Sequence, residues 1–224
     1  MLARRPLLVL LASLHAAPVA AQVVETVDLR VGRPTVLPLN GDLRFAGAAR
    51  TDAKPEMPPL EVSLRWLDRD TYRYFDSFTY RVRVTNIGAV PLSVPRRRDV
   101  PFGPGKGPQV SGHLELFAKL SGAEHLVHSI VLRGMVTDPG ETRLLQPGES
   151  VEFIAAGRWK CATPAEEHNL LQELPAETAM MARLHLRWPE APSTLPVLSN
   201  NSLPVALLPY QTSSRAKPLK TASQ

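Results

Sequence analysis

The chain has 224 residues, one cysteine and a formal net charge of +5. A length of this order suits one domain with appendages, and a lone thiol excludes an internal disulfide framework. The charge gives no support to nucleic-acid binding: Arg4 and Arg5 sit at the start, Arg215, Lys217 and Lys220 sit in an acid-free tail, and residues 22–210 are neutral on balance.

Arg4 and Arg5 precede an apolar run, 6–20, which closes on small residues with Val19 at −3 and Ala21 at −1 of a cleavage site. This pattern predicts a secretory signal peptide over residues 1–21 and a mature chain beginning at Gln22. The run is shorter than the roughly 20 apolar residues that a membrane span needs. No cysteine follows it to carry a lipid anchor, and no later stretch is apolar enough to cross a bilayer. The protein is therefore expected to be secreted or periplasmic, with no membrane span in its mature form.

Residues 22–58 read as an N-terminal strand segment and a connector, since "AGAARTDAKPEMPP" (46–59) has no apolar period. The pattern leaves open whether 22–45 joins the main domain or forms a separate arm. That domain, 59–210, begins with Val62, Leu64 and Trp66 alternating with polar residues. Phe78, Tyr80, Val82 and Val84 then alternate with Thr79, Arg81, Arg83 and Thr85, the period-two pattern of a half-buried antiparallel strand. Asn86-Ile87-Gly88 places two residues tolerant of positive φ at a reversal, and Val90, Leu92 and Val94 run back. The reading is a hairpin whose second strand, interrupted by Pro91 and Pro95, lies at a sheet edge.

Leu114, Leu116 and Ala118 mark a further strand, as do Val151, Phe153 and Ala155 after the turn "QPGES". Ala182, Leu184, Leu186 and Trp188 mark another, and "SLPVALL" is the last. Residues 126–136 are strand-like without a clear phase. With 23–31 this makes seven to nine strands, separated by turns in which most of the 22 prolines fall. Thr163-Pro164-Ala165-Glu166 is a capping-box arrangement and predicts one short helix near 164–173. Residues 211–224 are expected to form a disordered basic tail.

The segments "TNIGAVPLSVP", "LQPGESVEF" and "LSNNSLPVALL" resemble the strand pairs of bacterial extracytoplasmic immunoglobulin-like domains, over residues 60–208. The resemblance implies an all-β, immunoglobulin-like antiparallel β-sandwich. It carries no catalytic residues. The disulfide-linked Cys…Trp…Cys core is absent, with Cys161 the sole cysteine.

Four places could hold chemistry. His125 and His128 are three apart, a spacing that suits a metal on a helix but puts the rings on opposite faces of a strand. Asp68, Asp70 and Asp76 lie near a strand connection, without the glycine and terminal glutamate of an EF-hand loop. Cys161 stands just before the predicted helix, whose N-terminus can lower a thiol pKa, yet a buried inert thiol is the commoner use. The fourth is the irregular segment 94–112, where Arg96, Arg97 and Arg98 stand near Phe102 and Lys106. Long loops often carry binding, and these cations suit an anionic partner; against that, arginines also keep edge strands soluble. No metal site and no cofactor is expected.

The functional expectation is a secreted, non-enzymatic β-sandwich interaction module for a protein or anionic ligand. Two alternatives remain: a protease inhibitor presenting the Pro-flanked loop 94–108, and an enzyme using the Cys161 region.

Overall fold

The computed structural model describes residues 22–31, 55–73, 76–98, 107–120, 122–159, 178–191 and 194–208. The expected signal peptide, Cys161, the expected helix near 164–173, Phe102, Lys106 and the expected basic tail lie outside the described residues. Within them the protein is all-β, with no helix.

One sheet has the order β1 (Gln22–Asp28), β10 (Glu149–Arg158), β4 (Ser77–Asn86) and β2 (Leu60–Leu67). The other has the order β3 (Thr71–Arg73), β13 (Leu203–Leu208), β11 (Thr178–Arg187), β7 (Gln109–Leu120), β8 (Ala123–Met135) and β6 (Arg97–Arg98), with β12 (Val197–Leu198) also on β11. A two-stranded ribbon of β5 (Leu92–Pro95) and β9 (Thr142–Leu145) completes the fold.

The alternation read from β4 holds. Phe78, Tyr80, Val82 and Val84 are buried, opposite Val151, Phe153 and Ala155 of β10. They share one hydrophobic core with Leu114, Leu116, Ala118, Ile130 and Leu132 of β7 and β8, and with Met180, Ala182, Leu184 and Leu186 of β11. Two apolar sheet faces buried against each other make a β-sandwich. On the opposite face of β4, Arg83 donates at 2.8 Å to Glu152, its direct cross-strand neighbour, a pairing that supports the register.

Several expectations are corrected. Thirteen strands are described where seven to nine were expected, because short pieces such as β3, β6 and β12 carry no period of their own. The sheets are mixed: β1 runs parallel to β10 and β3 parallel to β13. The N-terminal strand therefore belongs to the sandwich. Trp66 is 46% exposed, since a bulge between Leu64 and Trp66 shifts the register and buries Leu67 instead. Phe117 is buried on the face read as polar, with the Arg183 guanidinium 4.6 Å from its ring centre. The phase of 126–136 is settled by Ile130 opposite Leu114 and Leu132 opposite Gly112.

The hairpin at 80–95 does not form. β4 pairs with β10 and β2, and β5 pairs with β9 about 50 residues on. The buried Asn86 makes the difference. Its Oδ1 accepts from the Gly88 amide at 2.9 Å, and its Nδ2 donates to the carbonyls of Val90 (2.8 Å) and Leu145 (3.0 Å). The Ile87 amide donates to Pro59 at 3.0 Å. These bonds turn the segment into an arch that leaves the four-stranded sheet. The "QPGES" turn is as read: Gly148 has φ +77, and the Glu149 amide donates to Gln146 at 3.0 Å.

Candidate binding cleft

Four proline-bearing or proline-flanked segments converge where the arch leaves the sheet. Met57, Pro58 and Pro59 lead into β2; Pro91 precedes β5; Trp188 follows β11; Val136 follows β8. Together with Glu56, Leu92, Glu190 and Thr194 they enclose a cleft of about 350 Å³, within the range that ligands occupy.

The inner polar groups of this wall are already engaged. The Trp188 indole N–H donates to the Ser93 carbonyl at 2.8 Å, and the Thr194 hydroxyl donates to the Leu186 carbonyl. The Leu195 amide donates to Glu56 at 3.0 Å and the Leu60 amide to Pro58 at 2.7 Å. Three proline rings and hydrogen-bonded backbone make the wall stiff and apolar. The mouth differs. Glu56 and Glu190 are exposed there, and among the described residues neither pairs with a cation.

The apolar surface continues outside the cleft. Met57 of the lining is 61% exposed, and Ile87 (62%) and Val90 (59%) adjoin lining residues, Ile87 by its bond to Pro59 and Val90 as the chain neighbour of Pro91. Leu195, 39% exposed, follows Thr194. Exposed apolar side chains grouped beside a cleft mark an interaction surface more often than scattered single residues do.

The arginines singled out in the sequence are separated by the alternation of strand side chains. Arg96 donates to Glu25 of β1. Arg97 and Arg98 form β6 on the edge of the larger sheet, opposite Arg133 and Leu132. Arg97 lies on the other side of the strand from Arg96 and Arg98. It stands in one cross-strand row with Arg133, Ser111 and Arg187. Behind this row His113 and His185 are cross-strand neighbours. Burial, with His185, Arg133 and Arg187 nearby, pushes the His113 pKa down to about 4. Burial also lowers that of His185.

The remaining sequence candidates serve the fold. Asp68 accepts from the Tyr72 hydroxyl at 2.6 Å and from the Thr79 amide at 3.1 Å. Asp76 accepts from the Arg73 amide at 2.8 Å, and Asp70 from the Thr71 hydroxyl at 3.0 Å. His128 Nδ1 lies 3.0 Å from the Tyr80 hydroxyl, and burial pushes the Tyr80 phenol pKa up. A bulge at Leu116/Phe117 sets His128 opposite Leu116 and His125 opposite Ala118, so simple alternation does not relate the two rings. No group of three metal-ligating side chains occurs among the described residues.

Sequence reasoning missed the cleft. Its lining comes from segments far apart in the chain, and only the proline clusters "PEMPP" and "VPLSVP" and the pair Trp188-Pro189 hinted at a rigid wall.

No family model matches the chain, and no curated protein matches it. Among solved structures it is similar to Spo0M, the sporulation control protein of Bacillus subtilis, with 13% identity, 69% of this chain and 51% of that one covered, and a TM-score of 0.36. The chain thus spans about half of Spo0M's length. The CARDB domain of the PF1109 protein from Pyrococcus furiosus, solved with di-metal ions, matches at 16% identity, 70% and 100% coverage, and a TM-score of 0.31. The putative ApaA protein of Bordetella pertussis matches at 20% identity, 68% and 98% coverage, and a TM-score of 0.29.

Proposed function

We propose that this chain is an exported, non-enzymatic, immunoglobulin-like interaction module that holds a partner at the Trp188 end of the sandwich. One observation carries the reading: a stiff apolar cleft opens there into a patch formed by Met57, Ile87 and Val90. Export rests on Arg4, Arg5 and the apolar run that follows them. The absence of catalysis rests on what the candidate acids and His128 already do for the fold, and on the binding-type surface of the cleft. Burying an exposed Met, Ile and Val against a partner contributes roughly 1.5–3 kcal/mol per side chain before association costs.

Affinity capture from an envelope extract tests the site. Met57→Asp puts a charge on an exposed side chain, so the melting temperature should change little while the captured partner is lost. Capture equal to the unchanged protein's would remove the cleft from the account.

A second reading is favoured by the row of Arg97, Arg133 and Arg187 about Ser111. It binds an anionic partner on the outer face of the larger sheet. In the same capture, Arg97→Ser would then reduce recovery where Met57→Asp does not.

A further inference from the structure

We infer that the occupant of the cleft is an extended, cationic peptide segment bearing proline or leucine side chains. This rests on the cleft being the binding site and adds the chemistry of what it takes.

Charge supplies the first argument. Among the described residues, those lining the cleft include two carboxylates, Glu56 and Glu190, and no lysine, arginine or histidine. In a body that is neutral on balance, the described residues of the mouth are locally anionic. Complementary potentials select partners and steer their approach, so lysine or arginine fits this rim and an acidic segment is repelled. The same charge disfavours an anionic lipid surface.

Shape supplies the second. The wall is built from Pro58, Pro59, Pro91 and Trp188, with its inner polar groups already bonded within the fold. Such a surface offers contact area and few hydrogen bonds, which suits a chain whose own backbone needs none from it. A polyproline-II segment meets that condition, because it makes no internal hydrogen bonds and its backbone stays solvated.

Extent supplies the third. A small amine would end inside about 350 Å³. Ile87 and Val90, exposed beside the lining residues Pro59 and Pro91, add apolar surface that an extended segment covers and a small amine leaves in water. Met57 can adapt to varied side chains because its thioether arm is flexible.

The test uses the whole mature chain and fluorescence anisotropy with two labelled synthetic peptides, Lys-Pro-Leu-Pro-Lys-Leu and Glu-Pro-Leu-Pro-Glu-Leu. The lysine peptide should bind at least about fivefold tighter than the glutamate peptide, as two exposed ion pairs permit. Glu56→Gln/Glu190→Gln should remove most of that difference, and added salt should narrow it. Equal or preferred binding of the glutamate peptide, abolished by Met57→Asp, would overturn the cationic occupant and keep the cleft as the site. Binding of the lysine peptide that neither Met57→Asp nor the double glutamine variant alters would overturn both. No binding of either peptide at millimolar concentration would overturn the peptide assignment, while Met57-dependent capture from the extract would keep the site.

Discussion

Asn86 shows how one buried side chain decides the path of the chain. In the sequence, Asn86-Ile87-Gly88 has the composition of a hairpin turn. In the structure the asparagine amide instead reaches the carbonyls of Val90 and Leu145 and directs the chain toward β9. The residue types were legible, but the partner of the amide was not, because Leu145 is 59 residues away. His113 carries a testable consequence of the same kind of burial. Its folded pKa, about 4, lies below the ordinary 6.5. The unfolded chain therefore binds more protons between these values, so stability is full above about pH 6.5 and falls as the pH drops toward 4. His185, also lowered, adds to the fall in the same direction. Thermal melts across that window should show a smaller decline for His113→Gln than for the unchanged protein. Equal slopes would mean that His113 is not held neutral by the fold.

Alternation identified the buried faces of β4, β7, β10 and β11, since period two is a local property and one face of each meets the core. It failed at Trp66, where a bulge shifts the register by one residue, at Phe117, which is buried on the other face of β7 beneath Arg183, and at the pieces too short to show a period. Pairing was the larger omission. The parallel partners of β1 and β3 and the β5–β9 ribbon join distant segments, for which no local pattern exists. The β5–β9 pairing can be trapped chemically. Ser93 and Leu144 are direct antiparallel neighbours, and Cα atoms in such pairs lie about 4.5–5.5 Å apart, within disulfide reach. In a Cys161→Ser background, Ser93→Cys/Leu144→Cys should oxidise to an intramolecular disulfide without loss of the native melting transition. A pair that stays reduced under mild oxidant would favour the simple β4–β5 hairpin.

At the level of the molecule, charge placement was legible: the basic ends and neutral body follow from counting residues along the chain. The cleft was not, because Glu56, Pro91, Val136 and Trp188 meet only once both sheets and the β5–β9 ribbon are in place. The arginine triplet shows the converse. It is conspicuous in sequence, yet the fold sends Arg96 to Glu25 and aligns Arg97 with Arg133 and Arg187. We read the Trp188 end as the surface that meets a partner, and site-specific photocrosslinking in an envelope preparation distinguishes it from the other faces. A benzophenone amino acid placed at Met57, at Arg97 or at the distant, 42% exposed Leu208 samples the cleft, the arginine row and the far end of β13. A single discrete adduct from position 57, absent from 97 and 208, is the expected result. An adduct formed from position 97 or 208 and missing from 57 would contradict the assignment of the Trp188 end as the binding surface.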